Sequence, residues 1–136
     1  MKIVKMAQSG YIKIYNLLVS LAASILTLTE TGGTIATDGT EQILYVNDTP
    51  AGVFSPNTIN VDFTNQSNGT TVVLKEYYRI KSGGDLRLTD MVTFPDGQSP
   101  DLKIISLKEN RFGIIISIQK TAGANANYDY EVFYKI

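Results

Sequence analysis

The sequence predicts an all-β fold: a single antiparallel β-sandwich of seven to eight strands, jelly-roll or Ig-like, behind an N-terminal amphipathic arm or helix. Three observations point there. Apolar residues from Thr29 onward recur at period two, the spacing that puts every second side chain on one face of a strand. Turn signals such as Asp38-Gly39, Asn68-Gly69, Gly83-Gly84 and Asp96-Gly97 come every ~8–12 residues, as in sandwiches and barrels. No run of helical spacing separates these stretches, which argues against a parallel βαβ sheet. At 136 residues one folded domain is expected, with residues 29–136 forming the sandwich and residues 1–28 the arm.

The arm opens with Lys2 and Lys5 and runs into an apolar stretch from Ile14 to Leu28. As a secretory signal it would use Leu17 to Ala23 as its apolar region and Ala22-Ala23-Ser24 for cleavage. Gln8, Ser9, Gly10, Lys13 and Asn16 break that pattern. As a membrane span it falls short of the about 20 predominantly apolar residues required, and Asn16, Ser20 and Ser24 interrupt it. The third reading fits best. Ile14, Leu17, Leu18, Leu21, Ile25 and Leu28 follow the 3-4 spacing of one helical face, with Lys13, Asn16 and Ser20 away from it. The period-two pairs Ile12/Ile14 and Leu26/Leu28 keep an extended arm open as well. Either form needs a surface to bury it, on its own domain or on a neighbouring subunit.

The strands follow in order. A short one is expected near Ile35 to Thr37, then Gln42 to Val46, then Thr58 to Phe63 with Ile59, Val61 and Phe63 inward. Thr70 to Lys81 reads as a long strand with Val72, Leu74, Tyr78 and Ile80 on one face. A hairpin at Ser82 to Asp85 returns it onto Leu86 to Phe94, where Leu86, Leu88, Val92 and Phe94 alternate. Leu102 to Leu107 follows, then a strand carrying Phe112, Ile114, Ile116 and Ile118. The last strand carries Tyr128, Tyr130, Val132, Tyr134 and Ile136. Val73, Tyr77, Ile115 and Phe133 fall on the opposite faces; either an outer face is covered by the arm or by another subunit, or these are the scattered apolar residues common on surfaces.

Composition excludes most chemistry. There is no Cys and no His, hence no disulfide, no thiolate or imidazole metal ligand and no Ser-His-Asp triad. The net charge of −1 argues against a protein that neutralises nucleic-acid phosphates. Phosphate-binding glycine loops and the G-x-S-x-G elbow are missing from the sequence, so no catalytic, cofactor or metal residue is expected and no small-molecule substrate is inferred. The Asp-Gly and Gly-Gly pairs are turn formers that tolerate positive φ. Glu76 and Asp90 should face each other across the hairpin. They could form an acid/base pair, but an ion pair neutralised by Lys75, Arg79 or Arg87 is the simpler reading. Tyr77, Tyr78, Tyr128, Tyr130 and Tyr134 lie on two strands and could stack on sugars or fill a protein interface, but core and cross-strand packing is the simpler reading. The triplets starting at Asn47, Asn65 and Asn68 match the glycosylation acceptor pattern, which has meaning only in a secreted chain.

Three stretches carry a resemblance: Thr31-Gly-Gly-Thr-Ile-Ala-Thr-Asp-Gly-Thr-Glu-Gln42, the hairpin from Glu76 to Leu88, and Gln119-Lys-Thr-Ala-Gly followed by Tyr128-Asp-Tyr-Glu-Val-Phe133. In general pattern, over residues 28–136, the chain resembles the small β-sandwich proteins of virus particles, namely the decoration, minor capsid and jelly-roll capsid proteins of phages and archaeal viruses. The resemblance implies a non-enzymatic structural protein in the virion, present in many copies. Its partners would be copies of itself and other capsid proteins, with no nucleic acid and no membrane. A charge near zero fits a shell exterior better than a genome-facing lining. Ile14, Leu17, Leu18, Leu21, Ile25, Leu28, Tyr77 and Phe133 are the expected assembly contacts. The rival readings are a glycan- or receptor-binding module, and an extracellular or cell-surface subunit.

Overall fold

Each alternating run becomes a strand, and the order in which the strands pair sets the architecture. The computed structural model describes Lys13, residues 28–48 and residues 55–135. The strands are β1 (Leu28–Ala36), β2 (Glu41–Asn47), β3 (Ser55–Asp62), β4 (Thr71–Tyr78), β5 (Arg87–Pro95), β6 (Leu102–Ser106), β7 (Ile114–Ala122) and β8 (Asn127–Lys135). They form two four-stranded sheets of order β1-β8-β3-β6 and β2-β7-β4-β5, with every pairing antiparallel. Strands pair first with last: β1 with β8, β2 with β7, β3 with β6 and β4 with β5. This is one long antiparallel ribbon, bent at the β4–β5 hairpin and rolled up, the arrangement of an eight-stranded jelly roll. It decides between the two sandwich types that the sequence leaves open.

The core lies between the sheets and is built from the inward halves of the alternating patterns. Ile59, Val61 and Phe63 of the β3 segment meet Val72 and Leu74 of β4, Ile114, Ile116 and Ile118 of β7, and Tyr128 and Val132 of β8. The Phe63 ring lies 4.7 Å from that of Phe94 and 5.5 Å from that of Tyr128. Tyr130 and Tyr134 pack against the same cluster from β8. Among the tight turns, Gly123 sits at φ +82°, and a Cβ there would lie 2.4 Å from the Thr70 Cα. Only glycine fits that crossing.

Four expectations need correction. The first strand is nine residues long, starting at Leu28, because β8 supplies pairing partners along its whole length. Ile80 lies beyond the end of β4 and is 85% exposed; the ladder to β7 closes one residue earlier, with the Arg79 N–H donating to the Gly113 carbonyl at 3.1 Å. Leu88 does not share a face with Val92 and Phe94, and Leu86 lies before the first residue of β5. Thr89 is an extra residue between the Glu76–Asp90 and Tyr77–Leu88 pairs, and this β-bulge moves Leu88 to the outer side. Finally, Lys75, Arg79 and Arg87 do not neutralise Glu76. They pair with Glu41, Asp48 and Asp85, and Lys108 takes their place.

Candidate functional site

The register of the β2-β7-β4-β5 sheet assigns its outward residues to three rows. Glu41, Gln119, Val73 and Thr93 form one, Ile43, Ser117, Lys75 and Met91 the next, and Val46, Ile115, Tyr77 and Leu88 the third. Ile43, Val46, Leu88 and Met91 are 49–56% exposed, a row of large apolar side chains at each lateral edge of the face. Ile115 and Tyr77 are half-buried between them, and Val73 is buried against its partners. Single exposed apolar residues are ordinary; here two stand on each edge strand, with the side chains of β7 and β4 between them.

A polar knot sits at the centre of this face. The Glu41 carboxylate accepts from Ser117 Oγ at 2.5 Å, from Tyr77 Oη at 2.6 Å and from Lys75 Nζ at 2.9 Å. Lys75 Nζ also reaches the Gln119 side-chain oxygen at 3.0 Å. Burial alone pushes the Glu41 carboxyl up, but the bonds from Ser117, Tyr77 and Lys75, with the Lys75 charge, outweigh it and hold the carboxyl at about 2. Bonding to Glu41, followed by burial, raises the Tyr77 hydroxyl. Ser117 is fully buried, so its hydroxyl is a fixed donor to Glu41 and is not open to attack a substrate. The knot ties β2, β7 and β4 together across the face.

The other outer face differs in chemistry. On the β1-β8-β3-β6 sheet, the outward rows are Glu30, Phe133, Thr58 and Ser106; Gly32, Glu131, Asn60 and Ile104; and Thr34, Asp129, Asp62 and Leu102. Four carboxylates lie here. Thr34 donates to Asp129, Asn60 to Glu131 at 2.8 Å, and Thr64 to Asp62 at 2.6 Å. The Thr64 hydroxyl and backbone hold Asp62 below the usual carboxylate range. Phe133 is half-buried in this polar setting, and Leu102 and Ile104 stand exposed on the edge strand β6.

The structure therefore separates the expected contact residues. Tyr77 and Phe133 lie on opposite outer faces. The backbone of Leu28 pairs with Lys135 in β1. Ile14, Leu17, Leu18, Leu21 and Ile25 lie outside the described residues; Lys13 beside them is helical and exposed. Ile43, Val46, Leu88 and Met91 escape notice in the sequence. The first two sit on a strand whose faces the pattern does not assign, and the bulge at Thr89 hides the outward turn of Leu88.

Glu76 and Asp90 are register partners, as the hairpin reading expects. Lys108 binds Glu76 through Nζ at 3.1 Å and through its backbone N–H at 3.2 Å, and its Nζ lies 3.7 Å from Asp90. The hydrogen bond to Glu76 raises the Lys108 ammonium pKa. The space beside the trio is about 30 Å³, room for a water or two but for no sugar ring. The arrangement is an ion-paired corner between β5 and the β6–β7 loop. Among the described residues, no cluster of three metal-ligating side chains is present. Tyr45 and Tyr128 are buried in the core and unavailable for stacking on a sugar, and Tyr130 and Tyr134 pack against the core, partly buried.

No family model matches the chain, and no curated relative matches its sequence. Its fold does have solved neighbours. A crystal structure of PirA is 9% identical, with 79% of this chain and 93% of that one covered and a TM-score of 0.50. A structure of Bacillus endospore appendages, described as a family of disulfide-linked pili, is 13% identical over 83% of this chain and 92% of that one, with a TM-score of 0.48. VP2 in the subviral particle of infectious bursal disease virus is 10% identical over 83% of this chain and 33% of its own, with a TM-score of 0.47. At these identities the likeness is one of fold. With no Cys, this chain has no disulfide link available to it. It is an eight-stranded antiparallel sandwich with jelly-roll strand order.

Proposed function

We propose that the protein is a structural subunit that acts by assembling with copies of itself, as a capsid or capsid-decorating protein of a virion. The observation that carries this reading is the outer face of the β2-β7-β4-β5 sheet. Ile43, Val46, Leu88 and Met91 expose more apolar surface there than a solvated sheet face requires. The work done would be burial of that surface, with no chemistry. The expected place is the capsid shell or its outer surface, with other capsid proteins as further partners. The full-length chain should run as a closed oligomer in size exclusion with light scattering. Removing residues 1–26 should leave the β domain folded by circular dichroism and abolish assembly. A full-length chain that stays monomeric at high concentration would overturn self-assembly.

A further inference from the structure

We infer that β6 is a self-pairing edge: the β6 strands of two copies run antiparallel about a two-fold axis at Ile104 and join two β1-β8-β3-β6 sheets into one of eight strands. This rests on the self-assembly reading and names the surface and the partner within it. The first guide is where apolar side chains are exposed. Among the described residues eight large ones are exposed, and five of them, Leu88, Met91, Val92, Leu102 and Ile104, stand on β5 and β6. These are the edge strands of the two sheets, and they meet at one lateral end of the sandwich, where Lys108 bridges toward Asp90. Leu74 and Ile116 of the core line the same small cavity as Met91, Val92 and Ile105, so the core comes to the surface at this end. Exposed apolar surface is thus concentrated on an end of the molecule, more than on either outer face.

The backbone shows which of the two strands is open to a partner. The Phe63 N–H donates to the Asp101 carbonyl and the Leu107 N–H to the Asn57 carbonyl, both at 3.0 Å, in the register that pairs Asn60 with Ile104. In an antiparallel ladder such positions alternate, so the odd residues of β6 bond to β3, and Leu102, Ile104 and Ser106 turn their N–H and C=O groups outward. The register with β3 runs without a shift, and neither a proline nor a bulge interrupts the strand. On β5 the same reasoning starts from the Asp96 N–H, which donates to the Thr70 carbonyl at 2.8 Å, and leaves Met91, Thr93 and Pro95 facing out. There the Met91 N–H is taken by the Asp90 carboxylate at 2.8 Å. Pro95 has no N–H, and its carbonyl accepts from Gln98 at 2.7 Å. With the bulge at Thr89, these are devices that close a strand edge. Strand β5 is guarded and β6 beside it is bare.

A second copy fits the bare edge. A strand whose free groups lie at residues 102, 104 and 106 is complementary to itself: Ile104 meets Ile104 of the other copy and Leu102 meets Ser106, with six N–H···O bonds. The other edges of this chain fit less well. Strand β2 is bulged at Leu44. Strand β1 is straight, but its outward row is Glu30, Gly32 and Thr34, which offers nothing apolar to Leu102 and Ile104. The charges at the β5–β6 end, Arg87, Lys103 and Lys108 against Glu76, Asp90 and Asp101, balance, so like charge does not oppose the approach. Strands about 17 and 30 Å long, on sheets about 10 Å apart with side chains on both sides, make an end of roughly 500 Å² per copy. Two copies bury about 1,000 Å², the low end for a specific interface, so this contact acts alongside others in the assembly.

The full-length chain carries the test. Ile104→Pro removes a donor that the ladder to β3 does not use, and proline is tolerated on edge strands. It should keep the folded circular dichroism spectrum and cut the native mass, by size exclusion with light scattering, to half or less. Ile104→Lys leaves the backbone intact and sets two like charges at the axis; it should do the same, and it decides the matter if the proline variant misfolds. A cross-link reads the geometry. The chain has no native cysteine, and hydrogen-bonded partners stand about 5.5 Å apart at Cα, within disulfide range. Oxidised Ile104→Cys should give a covalent dimer, and Thr34→Cys on the β1 edge should not. A link between co-expressed Ile104→Cys and Thr34→Cys chains would set β1 against β6 and overturn the two-fold pairing. Folded Ile104→Pro and Ile104→Lys chains of unchanged oligomer mass, or an Ile104→Cys oligomer that forms no link, would overturn it as well and leave self-assembly standing. A parent chain that is monomeric at high concentration would overturn both.

Discussion

Glu41 is ionised at the centre of an apolar face because three donors converge on it, and that fixes how the protein responds to acid. Its folded carboxyl titrates at about 2, below the ordinary 4.5. A depressed carboxylate contributes stability that is complete above the ordinary value and is lost as pH falls toward the folded one. Glu41→Gln should therefore melt lower than the parent at neutral pH. The gap should close as pH drops from about 4.5 to about 2, which thermal melts across that range would show. A gap independent of pH would mean that the knot contributes packing alone. Gly123 makes a steric demand of a different kind. A methyl there meets both the Thr70 Cα and the Gly69 carbonyl at 2.4–2.6 Å. Gly123→Ala is expected to cost about 1–3 kcal/mol in urea titrations. Tyr128 is fully buried, and its hydroxyl has no hydrogen-bond partner among the described residues. Tyr128→Phe removes an unpaired polar group and should raise stability by about 1 kcal/mol.

At the scale of elements, β7 is the keel of its sheet, flanked on both sides and contributing three isoleucines to the core. Ile118→Ala should cost about 2–5 kcal/mol. Leu88→Ser, on the edge strand β5, should change the stability of the isolated domain by less than about 0.5 kcal/mol. Folding in urea, compared between the two variants, checks both. The contrast also shows what is legible in the sequence. Ile59, Val61 and Phe63 alternate without interruption, and their pattern gives the right facing, as do the β7 isoleucines and the pairing of Glu76 with Asp90. The alternation from Leu86 to Phe94 looks equally clean and misleads, because a bulge reverses facing without marking the sequence. Lys108 is out of view for a related reason. It is distant in sequence from the β4–β5 hairpin and arrives beside it only when β6 is folded over. The outer face of the β2-β7-β4-β5 sheet is legible in part. Tyr77 and Ile115 stand out as bulk on an outer side, whereas Ile43 and Val46 change their relation to the core at the Leu44 bulge.

For the whole molecule, strand order is what a sequence without an alignment leaves open, since period-two patterns fix faces and leave partners undetermined. The nested pairing has a further consequence, concerning time. Leu28 pairs with Lys135, so the first described strand and the last are mutual neighbours at one edge. Contacts so far apart in sequence close late and slowly. On a ribosome β1 must wait, one edge bare, until β8 has emerged. A nascent or half-folded chain has neither a settled β1 nor a finished outer face. For the assembly proposed above, the topology would act as a check on nascent chains: only a chain that has completed its roll presents a finished outer face.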